Sequence, residues 1–220
     1  MRARFVKKIK RSPDIQSFYF EPDIKPNFIA GQFIELTLPF TSKGHRVNKR
    51  WFSLSLSPDE KYLAITTRLY ANKSKFKQNL TSLKPGAEVD ISQPMGDFVL
   101  PKDAEAELAF IAVGIGITPF RSIINYLPNE KGSRDITLVF ASKNPDDFIF
   151  DELLSGAKIK YIKHIGTLGL DDVKNHLPEL KLKTIFVSGP EKTVETLYKK
   201  LLDDGVKPES ISVDYFHNYD

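Results

Sequence analysis

The sequence predicts an antiparallel β-barrel over residues 1–101, followed by a parallel, doubly wound α/β sheet over residues 102–220. Three observations carry that expectation. The first hundred residues alternate apolar and polar side chains with period two, as in Phe33-Ile34-Glu35-Leu36-Thr37-Leu38 and Tyr62-Leu63-Ala64-Ile65-Thr66-Thr67. The character changes at the charged stretch Pro101 to Glu107. After it, short apolar runs alternate with helical patterns, as in strands joined by crossover helices.

In the first half the expected strands are Phe5 to Ile9, Ile15 to Phe20, Phe33 to Leu38, Ser53 to Leu56, Tyr62 to Thr67, Ala87 to Ile91 and Phe98 to Leu100. Turn-forming groups separate them, among them Ser12-Pro13-Asp14, Ser57-Pro58-Asp59 and Lys84-Pro85-Gly86. Several short strands at this spacing suit a barrel or a sandwich. Ser74 to Leu83 reads as a helix with Ser74 as N-cap.

In the second half the strands are Leu108 to Val113, Ile136 to Ala141, Ile159 to Ile162, Thr184 to Ser188 and Ile211 to Tyr215. The helical stretches between them fall at 119–127, near 148–154, near 170–176 and at 191–203. Ligands of such sheets sit at the carboxyl ends of the strands, where Gly114, Ser142 and Gly189 fall.

The first of these strand ends carries the chain's densest signal, Val113-Gly114-Ile115-Gly116-Ile117-Thr118-Pro119. Glycine allows a sharp turn and close backbone approach to a ligand. Thr118 suits an N-cap and Pro119 the first helical position, so the helix start would offer free N–H groups and a positive dipole end to a phosphate. The third glycine of the usual dinucleotide fingerprint is missing, and a tight turn with packing glycines would read the same way.

Composition narrows the classes. The absence of cysteine excludes disulfides, thiolate metal sites and a Cys nucleophile, and the four histidines show no ligand spacing. No run of 18 apolar residues is present, which speaks against membrane insertion, and no apolar segment follows the basic start, so a cytoplasmic protein is expected. Residues 1–50 hold 11 Lys or Arg against 4 acids within a chain of net charge +4. A basic end of this kind suits phosphates or an acidic partner, and no nucleic-acid-binding motif accompanies it.

Three further stretches are Arg50-Trp51-Phe52-Ser53, Ser74-Lys75-Phe76-Lys77 and Val187-Ser188-Gly189-Pro190. Strand geometry puts residues 50 and 52 on one face and 51 and 53 on the other, so an extended segment alone does not aim Arg50, Phe52 and Ser53 at one ligand. In order and spacing, these stretches and the glycine turn resemble the ferredoxin–NADP reductase superfamily of flavoenzymes, in its compact form without an iron–sulfur domain. The resemblance runs from Gly31 to Tyr219.

The resemblance implies an FAD-binding barrel, FAD being favoured over FMN, and an NAD(P)-binding sheet using NADH or NADPH. It marks Arg50, Trp51, Phe52 and Ser53 as a flavin-binding stretch: Arg50 on a phosphate, Phe52 packed on the ring in place of the usual Tyr, and Ser53 near the flavin N5. Thr67, Arg68 and Leu69 would lie along the flavin through their backbone. Ser74 and Lys75 would hold its pyrophosphate. Gly114, Gly116, Thr118 and Pro119 match the nicotinamide-side motif, with Val113 replacing its first glycine. Ser188, Gly189 and Pro190 stand where the family has Cys-Gly-Pro. Ser142 and Lys143 fall at the coenzyme ribose, where Lys143 would favour a 2′-phosphate and Asp146 or Asp147 a free hydroxyl. Phe216 or Tyr219 would cover the flavin, and His217-Asn218 departs from the family's Pro-Gly. The implied catalytic residues are Ser53, Ser188 and Phe216. The implied activity is hydride transfer from NAD(P)H to FAD, then electron transfer to a carrier protein, such as an acidic ferredoxin or flavodoxin, or to a small acceptor. A non-catalytic flavin- or nucleotide-binding subunit on the same fold is the alternative.

Overall fold

The computed structural model describes residues 1–40, 48–71, 74–127 and 134–216. Its strands sort into two sheets. The first comprises β1 (Arg2–Lys10), β2 (Ile15–Pro22), β3 (Phe33–Thr37), β4 (Lys49–Ser53), β5 (Leu63–Arg68) and β6 (Glu88–Ile91), in the order β4-β3-β6-β1-β2-β5. Every pairing within it is antiparallel. A bridge between Leu54 and Ile65 draws the two outer strands together and curls the sheet into a barrel. Alternation turns Phe5, Phe18, Phe20, Ile34 and Leu36 inward. Helix α1 (Lys75–Ser82) closes the barrel with Phe76 and Leu80 fully buried, and the Ser74 hydroxyl accepts from the Lys77 amide as the N-cap.

The second sheet is wholly parallel, in the order β11-β10-β7-β8-β9. Its elements follow as β7 (Leu108–Val113), α2 (Ile117–Tyr126), β8 (Ile136–Ser142), α3 (Asp151–Gly156), β9 (Lys160–Ile165), α4 (Leu170–His176), β10 (Thr184–Pro190), α5 (Glu191–Asp203) and β11 (Ile211–Phe216). The central strands β7 and β8 are near-continuous apolar runs because helices cover both faces. On one face Phe110, Phe120, Phe140 and Phe186 meet, and on the other Ile111, Val139, Val187 and Leu197.

Three expectations from the sequence are corrected. The fourth strand lies at Lys49–Ser53, not Ser53 to Leu56, because its register on β3 runs from Thr37↔Lys49 to Phe33↔Ser53. Beyond Ser53 the chain leaves that ladder, and the Leu54 amide turns to the Gln32 carbonyl. Phe98 to Leu100 forms no strand. Phe98 instead inserts into the second half, its ring 5.5 Å from Phe120 and 5.1 Å from Phe186, where burial outweighs ladder formation. Finally, Thr118 is not an N-cap. A 3₁₀ turn at Gly114–Gly116 runs straight into α2 at Ile117, and the Thr118 hydroxyl donates back to the Ile115 carbonyl at 3.1 Å. The helical start therefore lies at Gly114, at the carboxyl end of β7.

Candidate active site

The two halves meet where β4, β10 and β11 converge. Ser188 and Asp214 are register partners in the parallel pair β10–β11, so their side chains leave the sheet on the same face. Ser53 ends β4 on the barrel side. Its hydroxyl donates to the Asp214 carboxylate at 2.8 Å, and the Ser188 hydroxyl donates to the same oxygen at 3.3 Å. The two serines predicted from sequence thus face one carboxylate that the sequence reading missed. Burial pushes the Asp214 carboxyl above its ordinary value, and the two hydroxyl bonds reverse that only in part. The local pattern hides it: Asp214 takes a polar position of the β11 alternation, in phase with Ser212, and only its register opposite Ser188 marks it.

The glycines explain why the loops can meet. A Cβ on Gly116 would collide with the Ser188 carbonyl and the Gly189 amide, so only glycine lets the β7–α2 turn touch the end of β10. Gly114 adopts a φ of +56°, and a Cβ there would point into open space. The first turn of a helix leaves N–H groups without internal acceptors, so this turn offers amides at a cradle open to a ligand. Gly189 sits against Val113, and Pro190 pairs with Phe216, which carries the aromatic ring into the same neighbourhood as Ser188.

The other predicted residues fall as follows. Arg50 places its guanidinium 5.5 Å over the Phe76 ring. Phe52 is 8% exposed, belongs to the barrel core and packs 5.8 Å from Phe76, because alternation on β4 points it inward. Trp51 points out, half exposed, and its indole N–H donates to Glu35. Thr67 and Leu69 are buried, and Ser74 and Lys75 stand at the start of α1. Thr118 and Pro119 are buried beneath the turn and present no side chain to a ligand. Ser142 is buried and donates to Asp147 at 3.2 Å, whereas Lys143 is exposed at the strand end. The Arg68 guanidinium pairs with Asp14 at 2.6 Å and with Asp147 at 2.7 Å, leaving its backbone rather than its charge for a ligand. Tyr219 and His217-Asn218 lie outside the described residues.

These donors fit a flavin and a dinucleotide. A capped helix start followed by Lys75 and Lys77 suits a pyrophosphate, the open space at Gly114 suits a second nucleotide, and two hydroxyls meet a half-buried carboxyl where the two halves join. Among the described residues, no group of three or more His, Asp or Glu is placed to hold a metal, and no helix is long and apolar enough to cross a membrane.

Known proteins share this fold. The oxidoreductase FAD-binding domain model matches residues 2–100, and the oxidoreductase NAD-binding domain model matches residues 110–188. Flavohemoprotein A from Dictyostelium discoideum is 28% identical over 96% of the chain, which spans 58% of that protein. The chain therefore covers less than two thirds of the curated relative's length. A flavohemoglobin from Malassezia yamatoensis with bound FAD and heme superposes with a TM-score of 0.80 at 24% identity, over 98% of this chain and 60% of that one. A ferredoxin-NADP+ reductase from Plasmodium falciparum with 2′P-AMP gives 0.79 at 16% identity, over 98% and 96% of the two chains.

Proposed function

Because the chain belongs to the ferredoxin–NADP reductase superfamily, with an FAD-binding domain joined to an NAD-binding domain, we propose that it oxidises NAD(P)H and delivers the electrons to an acceptor. The single observation that carries this reading is the convergence of Ser53 and Ser188, from the two halves, on Asp214. A carboxyl held largely away from water with no cation beside it is costly, and such groups cluster at functional sites.

When bound, FAD supplies the redox chemistry, accepting a hydride and releasing electrons singly or in pairs. The protein binds and orients. Arg50 neutralises a flavin phosphate, and the start of α1, with Ser74 and Lys75, holds the pyrophosphate. The backbone of Thr67, Arg68 and Leu69 lies along the flavin. The Gly114–Gly116 turn and Gly189-Pro190 would receive the coenzyme, and Phe216 would shield the flavin ring face from water. Asp214 accepts from Ser53 and Ser188 and so fixes their hydroxyl hydrogens, which would leave the oxygens free to accept at the flavin edge. Asp147 is withdrawn from coenzyme selection by its bonds to Arg68 and Ser142, which leaves exposed Lys143 and Asp146 at the ribose. The acceptor is a carrier protein of acidic character, such as a ferredoxin or flavodoxin, or a small molecule; the basic first fifty residues favour the former.

The test is an anaerobic absorbance titration of the protein loaded with FAD. Bleaching of the flavin band by NADH or NADPH is the expected result, and the faster coenzyme is the physiological one. A flavin band that neither coenzyme bleaches would establish the non-catalytic reading instead.

A further inference from the structure

Asp147 lies just past the carboxyl end of β8 and is 4% exposed. Its carboxylate faces donors on three separate segments: Arg68 of β5 at 2.7 Å, Ser142 of β8 at 3.2 Å and, at 3.4 Å, the Ser12 hydroxyl of the β1–β2 turn, whose one hydrogen is shared with Asp14 at 3.3 Å. Two of those donors belong to the barrel and one to the parallel sheet. Arg68 is held from its other side by Asp14 at 2.6 Å, and the Asp14 carbonyl receives the Leu69 amide, also at 2.6 Å. One continuous chain of bonds therefore joins Ser142 to the backbone of residues 68 and 69.

The segment after Asp147 is strained. Phe150 has a φ of +64°, a left-handed conformation costly for a bulky side chain. Two guanidiniums lie against its ring, Arg11 just past β1 at 5.0 Å and Arg121 of α2 at 5.8 Å. Residues 147 to 150 are thus gripped by both halves. A buried carboxylate with three donors and a strained neighbour marks a place where the fold over-determines geometry.

The geometry points to Asp147 as a positioning residue: through Arg68 and Ser142 it sets the spacing between the strand along the flavin and the strand end that receives the coenzyme ribose. This rests on the function proposed above. Transfer between two bound rings is steeply sensitive to their separation, and a misplacement of about 1 Å costs on the order of 100-fold in rate. The clasp acts where such an error would enter, because β5 carries one partner and the end of β8 the other.

Asp147→Asn and Arg68→Gln attack the clasp from its two sides, and Asp147→Glu tests conservative rescue. Each is loaded with FAD and examined anaerobically by rapid mixing with the coenzyme that reduces the parent. The rate constant at saturating coenzyme is separated from the apparent coenzyme Kd, and amide hydrogen exchange is followed over residues 66–69 and 142–150. The expected result is a fall of about ten-fold or more in the saturating rate for both Asn and Gln variants, with Kd within about two-fold of the parent. Exchange should rise in both segments together, and Asp147→Glu should recover part of the rate. Unchanged saturating rates in the two variants, with only a lowered melting temperature, would overturn the assignment. Failure of the parent itself to be reduced would instead sink the proposed function, so the two failures are distinct.

Discussion

Two of the junctions that tie the barrel to the parallel sheet treat half-buried carboxylates in opposite ways. At the first, Arg121 of α2 forms an ion pair with Glu60, its Nη2 donating to Oε1 at 2.9 Å, while the Ser57 amide donates to Oε2 at 2.7 Å. Asn125 and Ser122 add bonds to Ser57 and to the Leu56 carbonyl. At the second, Asp214 meets only the hydroxyls of Ser53 and Ser188, and among the described residues no cation is paired with it. The protonation consequences differ in sign. Burial raises Glu60, but Arg121 and the Ser57 donors outweigh it and hold the carboxyl below its ordinary value. Burial raises Asp214 and nothing outweighs it. The first junction behaves as a structural clasp. The second keeps a costly group beside the glycine turn that ends β7, as functional sites do.

The severest way to break the comparison is Gly116→Ala. The added Cβ would run into the Ser188 and Gly189 backbone, which cannot swing aside as a side chain would. The expected loss is about 3 kcal/mol or more in denaturant unfolding, together with loss of flavin reduction. A near-neutral result would show that the β7–α2 turn and the end of β10 are not in contact.

Next in size is Glu60→Gln, which leaves the Arg121 guanidinium buried without its counter-charge. About 2–3 kcal/mol should be lost at neutral pH. Because Glu60 is held low, its stabilisation is present above the ordinary Glu value and fades as pH falls through the lowered one. The gap between parent and variant should therefore shrink in acid, which thermal unfolding across a pH series would reveal.

Asp214→Asn should show the reverse. Folded Asp214 binds its proton more tightly than the unfolded chain does, so stability falls as pH rises between the ordinary Asp value and the raised one. The amide has no such penalty, and the variant should match or exceed the parent above that window. The same pH series checks it. The smallest effect belongs to Lys143→Ala, an exposed change worth less than about 0.5 kcal/mol in stability. It should still lower kcat/KM for NADPH relative to NADH if Lys143 meets the ribose.

Periodicity carried much of the fold. Helix 191–203 and the central strand Leu108–Val113 follow the sequence pattern to the residue, because each has one unbroken apolar face and clear ends. Reading failed where distant contacts decided. Phe98 looks like strand but is drawn into a cluster with Phe120 and Phe186. Lys49 and Arg50 look too polar for a strand, yet pairing with β3 fixes them there. The serines and glycines of the candidate site were legible as local turns. Asp214 was not, since its meaning comes from Ser53, 161 residues away. Nor does any local pattern show that the charge of Arg68, a residue expected to act through its backbone, is taken up by Asp147, 79 residues on.

The most direct test sets the two junctions against each other in one experiment: anaerobic flavin reduction and unfolding measured together for Asp214→Asn and Glu60→Gln. The expected result is a double dissociation. Asp214→Asn folds as stably as the parent at neutral pH but is reduced at least about ten-fold more slowly. Glu60→Gln is less stable but, while folded, is reduced at the parent rate. Parent-like reduction in Asp214→Asn would contradict the assignment of the Ser53–Asp214–Ser188 junction as the active site.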